Sequence, residues 1–303
     1  MSTKRKATEG RSRRGTKEQG ARRQAPRWLL IIGLAVPIGV VVVALVVGGR
    51  SSGALVAWAR FGTQDVHSLA FVDDDSSRLL FGHHGGLLAT GDGGRTWSSL
   101  PVGDDAMSTS TAADGSVVIA GHNVFAASRD GGSSWPPIEA DLPSLDIHGF
   151  TRDPADPARM WAYLATGGLW ESRDFGARWE RVRDDNVIFP VAVRLASATR
   201  LLGVDATGLV ASDDGGRSWS SLSAPEAFPM TALAATSNGS VVYVGSPDAL
   251  LRSTDGGRTW TTTAYIGSAF AIATTADGEM VAVVNRETEF FRSSDGGATW
   301  PGP

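Results

Sequence analysis

Thr90–Trp97 reads TGDGGRTW, and the pattern returns five more times. The copies are SRDGGSSW at Ser128–Trp135, SRDFGARW at Ser172–Trp179, SDDGGRSW at Ser212–Trp219, STDGGRTW at Ser253–Trp260 and SSDGGATW at Ser293–Trp300. Their aspartates are Asp92, Asp130, Asp174, Asp214, Asp255 and Asp295, spaced by 38, 44, 40, 41 and 40 residues. Self-similarity at a fixed period near 40 residues marks a repeat architecture. Each copy carries the chemistry of a turn. The Asp accepts backbone N–H groups, the Ser or Thr hydroxyl bonds the same turn, and the glycines supply positive φ. The closing Trp97, Trp135, Trp179, Trp219, Trp260 or Trp300 offers a large apolar body to seal a blade edge. These aspartates therefore read as structural, not catalytic.

Around each copy lie short alternating segments. In the first they are His67–Val72, Arg78–Phe81, Gly86–Ala89 and a segment starting at Trp97. In the fifth they are Thr231–Ala234, Val241–Val244, Ala249–Arg252 and Trp260–Ala264. Four short strands per unit of about 40 residues form the blade of a β-propeller. Six copies predict an all-β, six-bladed ring, with a seven-bladed ring as the alternative. The chain stops three residues after Trp300, so the last blade lacks its outer strand. Residues 53–61, GALVAWARF, are apolar and otherwise unassigned, and are expected to supply it. Such a closure protects the sheet edges.

The motif S-x-D-x-G-x-[TS]-W resembles the Asp-box, or BNR repeat. That family includes sialidases, sortilin-type receptors, xyloglucan-degrading enzymes and the propeller factor that assists photosystem II assembly. The resemblance covers residues 53–303. It implies that the box lies between the third and fourth strands, away from the ligand face. The third copy departs from the pattern, with Phe175 for the first glycine and Arg178 for the hydroxyl residue. A looser turn is expected there. The segments DVHSLAF, GHHGGLL and DIHGFTRDPADPARMW resemble those of bacterial membrane-anchored proteins grouped by similarity with glycosyl hydrolases. That grouping inherits a fold, not a reaction.

The net charge of −4 hides a division. Residues 1–27 carry +8 and read as a disordered basic tail. Residues 28–49 carry no charge and, at 22 residues, are long enough to cross a bilayer core. Residues 50–303 carry −12. The positive-inside bias predicts a cytoplasmic tail, an uncleaved single-pass signal anchor at 28–49, and an extracytoplasmic propeller at 50–303 in the cell membrane. A cleaved signal peptide would have a shorter apolar region. The acidic ring repels nucleic acid. The absence of cysteine removes disulfides, thiol catalysis and Cys-ligated metal.

All five histidines fall in the first three repeats. His67 and His148 begin first strands, whereas His83, His84 and His122 end second strands. Antiparallel pairing then places all five on one face, near the central channel and opposite the boxes. Asp205 and Arg286 hold similar positions in later repeats, as do Asp65, Asp146 and Asn285. Two readings stay open. One is a ligand site, with a divalent metal on His67, His83 and His148. The other is a polar, water-filled channel. No cofactor is required by either.

Tyr163, Tyr243 and Tyr265, the candidates for a sialidase-type nucleophile, lie within apparent strands. Asp205, Glu287 and Glu289 lie near inner strand ends and could form part of a glycosidase pair. Asp73–Asp75 and Asp184–Asn186 hint at calcium but suit turns. The sequence thus predicts a binding or assembly module that takes a protein, glycan or metal through its histidine-bearing face. A BNR-class, exo-sialidase-like glycoside hydrolase is the alternative.

Overall fold

Each four-strand repeat has an apolar inner pair and a polar outer edge, so it can bury its faces only against neighbouring copies. The computed structural model describes residues 55–72, 75–184, 187–222 and 229–303. There the chain forms six antiparallel sheets arranged as blades. Blade one contains Ser68–Phe71, Leu79–His83, Gly86–Thr90 and Ser98–Ser99. Blade two has three strands, Asp105–Thr111, Val117–His122 and Phe125–Ser128. Its fourth strand is reduced to a single bridge between Ala126 and Pro137. Blades three, four and five run over Ile147–Arg183, Ile188–Ser221 and Ala232–Ile266. Blade six is built from Ala271–Thr274, Val281–Val284 and Glu289–Ser293.

The ring is six-bladed and closes as the sequence predicts. Ala59–Arg60 pairs antiparallel with Glu289–Ser293, with Ala59 opposite Phe290. The N-terminal segment is thus the outer strand of the C-terminal blade. The backbone N–H groups of Trp58 and Phe61 extend the seam by donating to the Phe290 and Thr288 carbonyls. The inner strand of blade six also packs against that of blade one. The anticipated basic tail and membrane segment, and parts of the two acidic turns (residues 73–74 and 185–186), lie outside the described residues. Among those described, no helix is long and apolar enough to cross a membrane.

Each box sits between the third and fourth strands. Asp92 Oδ1 accepts the Arg95 and Thr96 N–H groups at 3.0 and 2.9 Å, and Asp92 Oδ2 accepts the Thr96 hydroxyl at 2.6 Å. The Trp97 indole donates to the Gly94 carbonyl at 3.0 Å. The tryptophan does more than seal its own blade, because it packs at the junction with the preceding one. Trp97 joins the cluster shared by blades six and one, and Trp219 the cluster shared by blades three and four. The six hydrophobic clusters correspond to the six blade junctions. Gly94 shows why the second glycine is needed. Its φ is +99°, and a side chain there would run into the Phe290 ring of blade six.

The third box is not loosened. Ser172, Asp174 and Gly176 keep the usual hydrogen bonds, and the Trp179 indole donates to Gly176 O at 2.7 Å. Phe175 adopts φ +59° in the glycine position, and the Arg129 guanidinium lies over its ring at 4.7 Å. Asp141 of the preceding segment accepts the Trp179 backbone N–H. Packing and this extra bond offset the missing hydroxyl.

The box carboxylates make the ring sensitive to acid. Hydroxyl and backbone donors hold Asp130 and Asp214 down at about 2. The same bonds hold Asp92 and Asp255 below that. A carboxylate whose pKa falls on folding stabilises the native state above its unfolded value of about 3.9, and that stability is lost as pH falls through the folded value. The thermal midpoint is therefore expected to fall steeply between about pH 4 and pH 2. Asp130→Asn should make that fall shallower when followed by circular dichroism.

Candidate functional site

The linkers that enter the inner strands and the turns between second and third strands share one face of the ring. On that face, blades one to three place carboxylates at one repeat register. Asp65, Asp105 and Asp146 precede their box aspartates by 27, 25 and 28 residues. Four imidazoles, His67, His84, His122 and His148, interleave with these carboxylates in a continuous row.

The row starts at Asp65, which accepts the His84 backbone N–H at 2.9 Å and pairs with the His84 ring through Nδ1. His67 Nε2 lies 3.1 Å from His84 Nδ1 and 2.8 Å from Asp105 Oδ1. Asp105 Oδ2 lies 2.5 Å from His122 Nδ1. His122 Nε2 lies 3.0 Å from His148 Nε2 and 3.1 Å from Asp146 Oδ1, and His148 Nε2 lies 3.0 Å from the same Asp146 oxygen. Among the described residues, three groups of donor atoms are close enough to hold a metal ion: Asp65–His67–His84, His84–Asp105–His122 and His122–Asp146–His148.

Burial is graded along the row. Asp105 is only 6% exposed, whereas His84, His122, Asp146 and His148 reach solvent. Burial lowers the pKa of His67 and the nearby Asp105 charge opposes that, leaving a net downward shift. His67 is therefore neutral at neutral pH, the form that ligates metal or hydrogen-bonds in either sense. His67 and His148 line one cavity of about 170 Å³, together with Met107, Phe189, Pro190 and Phe270. Imidazoles thus meet an apolar channel wall.

The other sequence-predicted residues lie apart from the row. His83 folds back against Phe81, with ring centroids 5.8 Å apart, and its Nδ1 accepts the Gly85 N–H at 2.9 Å. Asp205 closes its own turn by accepting the Thr207 N–H and hydroxyl. Arg286 is exposed, and its backbone N–H donates to the Ser268 hydroxyl. Glu289 pairs with Arg60 at the ring seam, at 2.9 Å, and Glu287 is exposed. Tyr243 and Tyr265 are core residues whose hydroxyls donate to the Gly278 and Ser268 carbonyls. Burial pushes the Tyr243 phenol up to about 12.

Asp105, the buried centre of the row, is the residue that histidine-led reasoning passes over. Its repeat register matches Asp65 and Asp146, and that alignment is the signal that finds it. Its position depends on Gly121, where any side chain would overlap the Asp105 carbonyl and crowd the Met107 N–H. The strand pairing shifts register between Asp105 and Ser108, next to the point where the carboxylate joins the row.

Comparisons with known proteins agree with this architecture. The xyloglucanase of Xanthomonas campestris matches at 19% identity with a TM-score of 0.55, over 81% of this chain and 46% of the enzyme. The chain thus spans less than half of that enzyme's length. A YCF48 bound to D1 peptide matches at 17% identity and TM-score 0.50, over 78% of this chain and 95% of that protein. A putative gluconolactonase matches at 14% identity and TM-score 0.60, over 79% of this chain and 91% of its own. At these identities the likenesses concern the fold. No curated protein sequence matches. The profile of the family described as photosynthesis system II assembly factor YCF48 matches residues 146–302, half of the chain. The chain belongs to that family.

Proposed function

We propose that the protein is a membrane-tethered, extracytoplasmic propeller that binds a segment of a client polypeptide on its histidine-bearing face and thereby assists assembly of a membrane complex. Membership of the assembly-factor family carries this reading. A similar propeller, the YCF48 described above, is bound to a peptide. The channel mouth suits such a ligand. Met107, Phe189 and Phe270 offer adaptable apolar contact beside the polar rims of His67 and His148. The tether is the charge-free segment 28–49, with the basic tail on the cytoplasmic side.

Photocrosslinking of the full-length protein in membranes tests this reading. A photoreactive residue in place of Met107 is expected to capture a discrete polypeptide. The same residue in place of Ser134, on the box side, should not. Equal capture at both positions, or at neither, would overturn the proposal. Turnover of xyloglucan oligosaccharides or chromogenic sialosides, abolished by Asp105→Asn, would establish a glycosidase instead.

A further inference from the structure

We propose that His122, Asp146 and His148 hold a divalent first-row transition-metal ion as a facial triad, with Asp105 as the positioning residue behind it. His122 Nε2, His148 Nε2 and Asp146 Oδ1 form a nearly equilateral triangle with edges of 3.0, 3.1 and 3.0 Å. Hydrogen bonds join atoms in donor–acceptor pairs, so a closed triangle of three needs a proton along every edge. Each ring nitrogen carries one proton at most, so the two nitrogens cannot serve all three edges. The other ring nitrogen of His122, Nδ1, faces Asp105 Oδ2 at 2.5 Å. A cation at the apex above the three atoms satisfies all of them at once.

The edge lengths also select a coordination geometry. Bonds of about 2.1–2.2 Å at right angles separate neighbouring donors by about 3.0–3.1 Å, whereas tetrahedral angles need about 3.4 Å. The triangle therefore fits one face of an octahedron. Two histidines and one carboxylate in that arrangement leave three coordination positions open. The three side chains are half-exposed, so those positions are reachable from solvent.

A second observation points the same way. Asp105 is 6% exposed, and its Oδ1 has no hydrogen-bond partner. His67 Nε2 is 2.8 Å away but off the line a hydrogen bond requires. The other oxygen, Oδ2, lies 2.5 Å from His122 Nδ1, and a buried carboxylate behind a histidine ligand is the carboxylate–histidine–metal arrangement that fixes the tautomer and raises ligand basicity. Its negative charge favours a cation next to His122.

The proposal is independent of the peptide-binding reading and is tested with metal alone. Full-length, tag-free protein in detergent is stripped with chelator and titrated with Co²⁺ and with Zn²⁺. One equivalent of Co²⁺ should bind, with the weak visible bands of a six-coordinate ion. His122→Ala, His148→Ala and the near-isosteric Asp146→Asn should each weaken Zn²⁺ binding by at least about 100-fold, and Asp105→Asn by about 10–100-fold. His83→Ala should leave it unchanged, because His83 lies apart from the row. Melting of each metal-free variant separates lost ligation from lost folding, and Asp146→Asn, which keeps shape, decides if an alanine variant does not fold. Absence of saturable binding, wild-type affinity in Asp146→Asn, or loss in His83→Ala would overturn the assignment.

Discussion

Trp161→Ala is expected to lower the free energy of unfolding by about 3–5 kcal/mol, the range for removing a fully buried large aromatic. Trp161 is fully buried on the second strand of blade three. Its indole N–H crosses to blade four and donates to the Gly215 carbonyl at 3.1 Å. The Arg159 guanidinium covers its ring at 4.4 Å and is held by Glu171 at 2.7 Å. The substitution leaves a cavity beside Tyr163, Leu169 and Leu201 and an orphaned carbonyl in the fourth box. Urea unfolding of the two proteins measures the difference. Trp161→Phe should recover most of it, because packing outweighs the single hydrogen bond, whose net worth is about 0.5–1.5 kcal/mol. A loss below about 1 kcal/mol in the alanine variant would show that the junction repacks around the gap.

Phe290→Ala is expected to cost a similar amount, again about 3–5 kcal/mol, but with a different signature. Phe290 is fully buried in the third strand of blade six. It meets Trp97 edge-on at 5.3 Å and Phe61 at 6.4 Å, and its backbone faces Ala59 across the closing pair. The closing strand has only two residues, so its hydrogen bonds depend on the aromatic group beneath it. Hydrogen exchange should therefore accelerate at Trp58 and Phe61 before the rest of the ring opens. The Trp161 variant should leave that seam protected until global unfolding. Equal exchange at the seam in wild type and Phe290→Ala would refute the role given to Phe290.

The fold was legible because the box is local chemistry. An Asp, a hydroxyl and two glycines within eight residues define a turn without help from elsewhere, and six turns at one period define a ring. Ring closure was legible because blade six lacked one strand and the chain held one spare. The junction that each box tryptophan fills was not legible, because it depends on how blades lean on one another. The site divided along the same line. His67, His122 and His148 fall at strand ends that periodicity locates. His83 and His84 are adjacent in sequence, and only the Gly85–Gly86 turn decides which ring faces inward. Asp105 was hidden because blade two carries Met107 where blades one and three carry His67 and His148. Asp205 ends its second strand as His83 and His122 do, but Thr207, two residues on, engages its carboxylate.

The row of imidazoles and carboxylates breaks the symmetry of its scaffold. Six similar blades would allow a ligand six equivalent orientations, or several copies at once. Among the described residues, the clustered donor atoms lie on blades one, two and three, which gives the ring a single compass bearing. On the proposed reading, a client recognised there would meet the propeller with one azimuth and one-to-one stoichiometry. The ring would then act as an oriented jig, presenting a client at a fixed angle instead of merely holding it close.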